Sequence, residues 1–157
     1  MNIAFNWTMK ALLAGEKTVT RRAWTDAYAR RFKPGMLVGA YNRQPRYGGV
    51  KQATIMITSA PFRQSTALLT EGDYVAEGLA YYDEHPELLP KKFGGSARGF
   101  FEDWKASAED MWVVPFTLVS VVPPVVIFKE ILRPLGPVLA NRVLTWEDGI
   151  NFQEVSE

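Results

Sequence analysis

The sequence predicts an α+β fold: a small mixed β-barrel with short helices packed at its side and across its openings. Three observations carry that expectation. Short runs rich in Val, Thr and aromatic residues alternate as strands do, most clearly at 36–41, 50–58 and 111–122. Other short runs, at 8–14, 70–77 and 100–106, place their apolar residues at helical spacing. Between them, 12 Gly and 10 Pro in 157 residues break the chain at close intervals. A chain of this size buries roughly 68–70% of the surface its unfolded form exposes, so it builds a core without metal or disulfide staples. One domain is expected over 1–122. Residues 123–157, proline-broken and acidic at the end, read as an extension that either packs on the barrel or joins two copies as a homodimer.

The first helix, Thr8 to Ala14, is capped by Asn6 or Thr8, carries Met9, Leu12 and Leu13 on one side, and ends at Gly15. Lys17 to Trp24 reads as extended, and the basic stretch 29–33 leads to a turn at Pro34-Gly35. Met36 to Tyr41 and Val50 to Thr58 are two strands joined by the loop 42–49, NRQPRYGG. Thr70 with Asp73 three residues on forms a capping box before Tyr74 and Val75, with Leu69 as a staple and Gly78 as the stop. The stretch 85–96 reads as irregular, and Phe100 to Ala106 as a helix with Phe100, Phe101 and Trp104 on one side. Met111 to Val122 is the best buried strand, although Pro115 favours an edge or a bulge. Trp24, Trp104 and Trp112 are expected in the core.

Composition excludes several kinds of chemistry. With no Cys and one His, thiolate nucleophiles, redox relays and cysteine-based zinc sites are impossible, and His85 alone cannot make a catalytic zinc centre. No metal or organic cofactor is implied. No apolar run approaches the ~20 residues of a membrane helix, and the N-terminus has no signal-peptide core, so a cytoplasmic protein without membrane contact is expected. The net charge of +1 hides an asymmetry: residues 1–63 hold eleven basic and two acidic side chains, a net +9, and the other 94 hold seven and fifteen, a net −8. Such a segment either meets an anionic ligand or is neutralised by the rest of the fold.

The densest polar cluster is Gly15-Glu16-Lys17-Thr18-Val19-Thr20-Arg21-Arg22. A lysine in a partly dry cleft loses its proton more readily and acts as a base, a neighbouring threonine hydroxyl is then a nucleophile, and Arg22 offers paired donors to phosphate or carboxylate. The alternative is a β-branched strand with solvated basic ends. In a regular strand Lys17 and Thr20 point to opposite faces, so the chemistry needs a turn or bulge between them. Tyr41, Arg43, Arg46 and Tyr47 mix aromatic and basic character at a hairpin, suited to stacking a base and meeting phosphate, or simply to solvation.

Gly15-x-Lys17-x-x-x-x-Arg22 resembles the GxKxxxxR signature of ASCH domains, small barrels related to the PUA fold. Further landmarks follow in the family's order: the helix Thr8 to Ala14, Pro34-Gly35-Met36-Leu37-Val38, Val75-Ala76-Glu77-Gly78, and Trp112-Val113-Val114-Pro115-Phe116. Together they cover about residues 3–122. The resemblance implies a cleft that holds RNA or a modified nucleoside. In the branch that removes the acetyl group of N4-acetylcytidine it implies Lys17 as base, Thr20 as nucleophile and Glu77 as the supporting carboxylate. Arg22, Arg21, Thr18, Tyr41, Arg43 and Arg46 are then the residues expected to bind substrate or RNA. The chain departs from that compact branch by a longer stretch at about 80–110 and by its extension. A non-catalytic RNA-binding module, a ribonuclease of the same fold, and a small-ligand or protein-interaction domain are the alternatives.

Overall fold

The computed structural model describes residues 1–123. Residues 124–157 of the expected extension lie outside them, and so does its expected part in packing or self-association. Six strands and five short helices follow in the order β1 (Asn2–Ala4), α1 (Met9–Leu13), β2 (Val19–Arg22), α2 (Asp26–Ala29), β3 (Leu37–Tyr41), β4 (Lys51–Ile57), β5 (Phe62–Ser65), α3 (Glu71–Ala76), α4 (Tyr81–Glu84), α5 (Ala97–Ser107) and β6 (Asp110–Val121). This is the α+β class expected, with helices set beside a curled mixed sheet. No helix among the described residues is long and apolar enough to cross a membrane.

The sheet runs β1-β3-β4-β6-β2, with β1 and β3 parallel and the other pairs antiparallel. Strand β4 shows the strict alternation its sequence promised: Ala53, Ile55 and Ile57 are buried and the residues between them are not. They meet Val38 and Ala40 of β3, Val114 and Phe116 of β6, and Phe5, Leu12 and Phe32 in one apolar core. Register shifts at Ala40/Tyr41 and Thr54/Ile55 are bulges, which increase the local twist and curl the sheet. The first and last strands of the path are not laddered to each other. Across that seam Arg22 Nη2 donates to the Ala4 carbonyl at 2.6 Å.

Two expectations need correction here. Strand β6 is not an edge strand, because it carries β2 on one side and both β4 and β5 on the other. Pro115 is tolerated because β4 pairs from Phe116 onward and β5 up to Val113, so its missing N–H falls in the gap between them, and its carbonyl still accepts from Thr58 at 3.1 Å. The second correction concerns the helices. The region 85–96 does contain irregular chain, but Ser96 caps α5 by accepting from the Gly99 N–H at 2.9 Å, so that helix begins three residues before Phe100.

A second apolar cluster joins Leu69, Tyr74, Leu79, Tyr82, Ala97 and Phe101 from α3, α4, α5 and their connections, with Ala11 from α1. Trp7 packs against it, 5.3 Å from the Tyr82 ring and 5.5 Å from the Phe100 ring. Trp112 is buried, as expected of a core residue. Trp24 and Trp104 are partly buried and pack against the cores, Trp24 stacked on Phe32 of the sheet core and Trp104 against the helical cluster.

Candidate functional site

Gly15, at φ +82°, ends α1 in the left-handed region and turns the chain before β2 starts at Val19. Lys17 therefore stands in irregular chain and not in the strand, which removes the geometric objection to Lys17 and Thr20 facing one space. The segment lies along the C-terminal end of α3, where the Thr18 N–H donates to the Ala76 carbonyl at 2.8 Å. Gly78, at φ +74°, makes this approach possible. A Cβ there would stand 2.8 Å from that of Ala11 and 2.9 Å from that of Lys17.

Lys17 is only 2% exposed, and its amine makes two bonds to one residue, 2.6 Å to Glu77 Oε2 and 2.7 Å to the Glu77 carbonyl. The other carboxylate oxygen, Oε1, accepts from Arg21 Nη1 at 2.9 Å. Arg21 Nη2 donates to Asp73 and, at 2.8 Å, to Gln64 Oε1. Asp73 also closes the predicted capping box: its Oδ2 accepts from the Thr70 N–H at 2.9 Å and from the Thr70 hydroxyl at 2.7 Å. A continuous chain of charge-assisted bonds thus runs from Thr70 through Asp73, Arg21 and Glu77 to Lys17.

Burial pushes the Lys17 amine below the ordinary lysine value. Glu77 opposes that through charge and hydrogen bonding, and Arg22 and Arg21 add to it. Burial also lowers the Arg22 guanidinium, with Glu77 opposing. For Asp73, burial works upward, but the bonds from Thr70 and Arg21 win and hold its carboxyl below the usual range.

These groups open on a cleft of about 140 Å³. Lys17, Thr20, Arg21, Arg22 and Glu77 form its polar side, while Trp7, Phe100 and Trp104 stand among its aromatic members. Asn6, also on the lining, has φ 49°, an uncommon conformation outside glycine that asparagine tolerates best. Among the described residues no group of His, Asp and Glu could hold a metal ion.

Among the solved structures that resemble this chain are two bacterial ones. One is a protein of Enterococcus faecalis assigned to the DUF984 family, 18% identical, covering 74% of this chain and 69% of its own, with a TM-score of 0.45. The other is an ASCH domain from Lactobacillus crispatus, also 18% identical, covering 71% of this chain and 69% of its own, with a TM-score of 0.39. No family model matches the sequence, and no curated protein does. Both likenesses concern fold alone.

The structure thus brings Lys17, Thr20, Glu77, Arg21 and Arg22 to one cleft and leaves four other residues outside its lining. Thr18 is exposed and uses its backbone to join α3 and β6. Tyr41 lies on β3, and Arg43 and Arg46 are exposed on the hairpin, where Arg46 rests 4.8 Å from the centre of the Tyr47 ring. Arg21, expected to meet substrate or RNA, instead gives both terminal nitrogens to acceptors inside the protein, and its side chain has no exposed surface. Its burial follows from two acidic residues a helical turn apart on α3, Asp73 and its C-cap Glu77, a spacing that was visible in the sequence. Trp104, expected in the core, packs against the helical cluster and also lines the cleft with Phe100, four positions earlier on α5.

Proposed function

We propose that this cleft hydrolyses the amide of an acylated nucleoside of the N4-acetylcytidine kind. The observation that supports the reading is the buried, desolvated Lys17 amine, braced by Glu77 in a cleft that Thr20 also lines. An ammonium has three donors and two go to Glu77, which leaves one position for Thr20 or substrate. Neutral Lys17 takes the Thr20 hydroxyl proton as that oxygen attacks the acyl carbon. The C–N bond then breaks, the Lys17 ammonium gives the proton to the leaving amine, and the acyl group remains as an ester on Thr20. Water, deprotonated by Lys17 in turn, adds to the ester; the C–O bond to Thr20 breaks, acetate leaves and the hydroxyl is restored. Arg22 supplies positive charge on the side of the cleft where the carbonyl oxygen gathers negative charge.

Size and shape narrow the substrate. The cleft is well below the roughly 300–1,000 Å³ of sites for drug-sized ligands, so it takes one planar ring with its acyl group and leaves the sugar outside. Trp7, Phe100 and Trp104 give that ring apolar faces to stack on. A base within RNA reaches the cleft only after leaving its stack.

Incubation of the full chain with N4-acetylcytidine tests the reading. Cytidine and acetate should appear in equal amounts, and Lys17→Ala and Thr20→Ala should each lose about 10²–10⁴-fold in rate. Trp104→Ala should weaken binding of cytidine by roughly 5- to 150-fold, the equivalent of about 1–3 kcal/mol for one stacked base. Absence of acetate, or a Thr20→Ala protein as fast as wild type, overturns it.

A further inference from the structure

Among the described residues lining this cleft, the buried Arg21 is the one cation that the reaction above does not use. Its Nη1 holds Glu77 Oε1 at 2.9 Å, while Lys17 holds Oε2 at 2.6 Å, so a single carboxylate stands between two cations. Asp73 at the start of α3 and Gln64 on β5 hold the other end of the guanidinium, which fixes its position from two directions. Such a residue looks purely structural until the proton is considered. A glutamate facing a lysine alone in a dry site forms a tight ion pair and strengthens the hold of the amine on its proton. A guanidinium never gives up its charge, so an arginine on the second oxygen permanently draws off part of that attraction.

We infer that Arg21 is a positioning residue that divides Glu77 between two cations and thereby keeps the Lys17 amine able to release its proton. The inference rests on the reading of Lys17 as a base. The charged groups that act on this amine are Glu77 from the end of α3 and Arg21 and Arg22 from β2. Burial lowers this amine most, Glu77 opposes it, and Arg22 and Arg21 add to the lowering, while Asp73 is bonded to the far end of Arg21. Removing Arg21 acts on the amine in two ways, because a repelling cation leaves and Glu77 turns wholly to Lys17. Glu77 is also the C-cap of α3, so its backbone stays in place when Arg21 changes, and the effect passes through charge rather than through a moved helix.

The test reads the Lys17 amine directly. Full-length wild type and Arg21→Gln are labelled with acetic anhydride across a pH series, and acetylation of the peptide holding Lys17 is followed by mass spectrometry. Arg21→Gln should raise the labelling midpoint, giving about 10-fold less Lys17 labelling near neutral pH, the equivalent of one pKa unit. Arg21→Lys, which keeps a cation, should restore most of it. Gln64→Glu, close to isosteric, offers Arg21 another carboxylate and should raise the midpoint in the same direction without removing any residue of the cleft, so it carries the test if Arg21→Gln does not fold. A midpoint unmoved or lowered in a folded variant overturns the inference. The acid limb of the kcat/KM profile for acetate release should rise with the labelling midpoint. Release without a midpoint shift defeats this inference and leaves the hydrolase reading intact. A midpoint shift without release from wild type defeats the hydrolase reading and leaves the role of Arg21 standing.

Discussion

The two cores of this protein are built on different rules. In the sheet core β3, β4 and β6 contribute alternate aliphatic or phenylalanine side chains, Val38, Ala40, Ile55, Ile57, Val114 and Phe116 among them, and none of these carries a polar tip. In the helical cluster two of the largest residues are tyrosines whose hydroxyls must be satisfied: Tyr74 donates to Asp83 at 2.8 Å, and Tyr82 donates to the Trp7 carbonyl. A core of the first kind is fixed by strand period alone. One of the second kind is fixed by caps and hydrogen bonds, and so holds only where each polar partner is also in place. The cleft lies where they meet. Its Thr20 and Arg22 come from β2, its Glu77 from the end of α3, and its aromatic wall from α5 and the turn after β1.

Paired truncations, one in each core, break this comparison most directly. Phe116→Ala and Phe101→Ala each delete a fully buried ring and should cost about 3–5 kcal/mol. They should differ in where the loss appears. Phe116 sits on the strand shared by β2, β4 and β5, so its truncation should weaken hydrogen-exchange protection everywhere. Phe101 packs edge-on to Tyr74 at 5.1 Å, so its truncation should expose amides of α3 and α5 while β3 and β4 keep most of theirs. Equal loss of protection across both regions would show that the two cores open as one.

The pH dependence of stability separates the cleft from the helical cluster. Lys17 has a folded pKa below its unfolded one, so the unfolded chain binds more protons between those values, and stability rises with pH up to about the ordinary lysine value of 10.5. The tyrosines act oppositely. Burial first, and then Asp83 for Tyr74, raises both hydroxyls, Tyr82 to about 12, so the stability they confer is lost as pH climbs above 10. Denaturant titrations should show stability rising on the alkaline side and then turning down near pH 10. In Lys17→Met the rise should vanish, and in Tyr82→Phe the fall should be shallower. A rise that survives in Lys17→Met would mean that another group carries it.

How much of this was legible follows the same division. Val50 to Thr58 declared its strand because period-two alternation is unambiguous over that length, and Thr70 with Asp73 declared the start of α3 because a capping box is a local device. The short elements β1, α2, β5 and α4 were missed. Each has only three or four residues, too few to complete a period, and each is held by neighbours distant in sequence. At the site, Lys17, Thr20 and Glu77 were named through the ordered motif, while the burial of Arg21 required knowing that β2 packs under α3. Trp104 was placed in the core because a tryptophan on the apolar side of a helix usually is. What the sequence could not convey is that Phe100 and Trp104, while packed against the helical cluster, also line the cleft.

The smallest effects should come from the hairpin, which belongs to neither core. Arg43 and Arg46 are exposed, and the only close partner of the Arg46 guanidinium among the described aromatic rings is its neighbour Tyr47. The double substitution Arg43→Ala with Arg46→Ala should therefore change stability by no more than about 0.5 kcal/mol at each position. It should leave kcat/KM for free N4-acetylcytidine unchanged, because neither residue lines the cleft. An effect on the free nucleoside would place the hairpin at the reacting end of the substrate. An RNA substrate separates the remaining possibilities. Each arginine that meets a phosphate contributes about one unit to the slope of log affinity against log salt, so a shallower slope in the double variant with unchanged nucleoside turnover would mark the hairpin as an RNA-docking arm. An unchanged slope would leave the two arginines with solvation alone, and the chemistry of the cleft would then be addressed to the base and its acyl group without help from the chain that carries it.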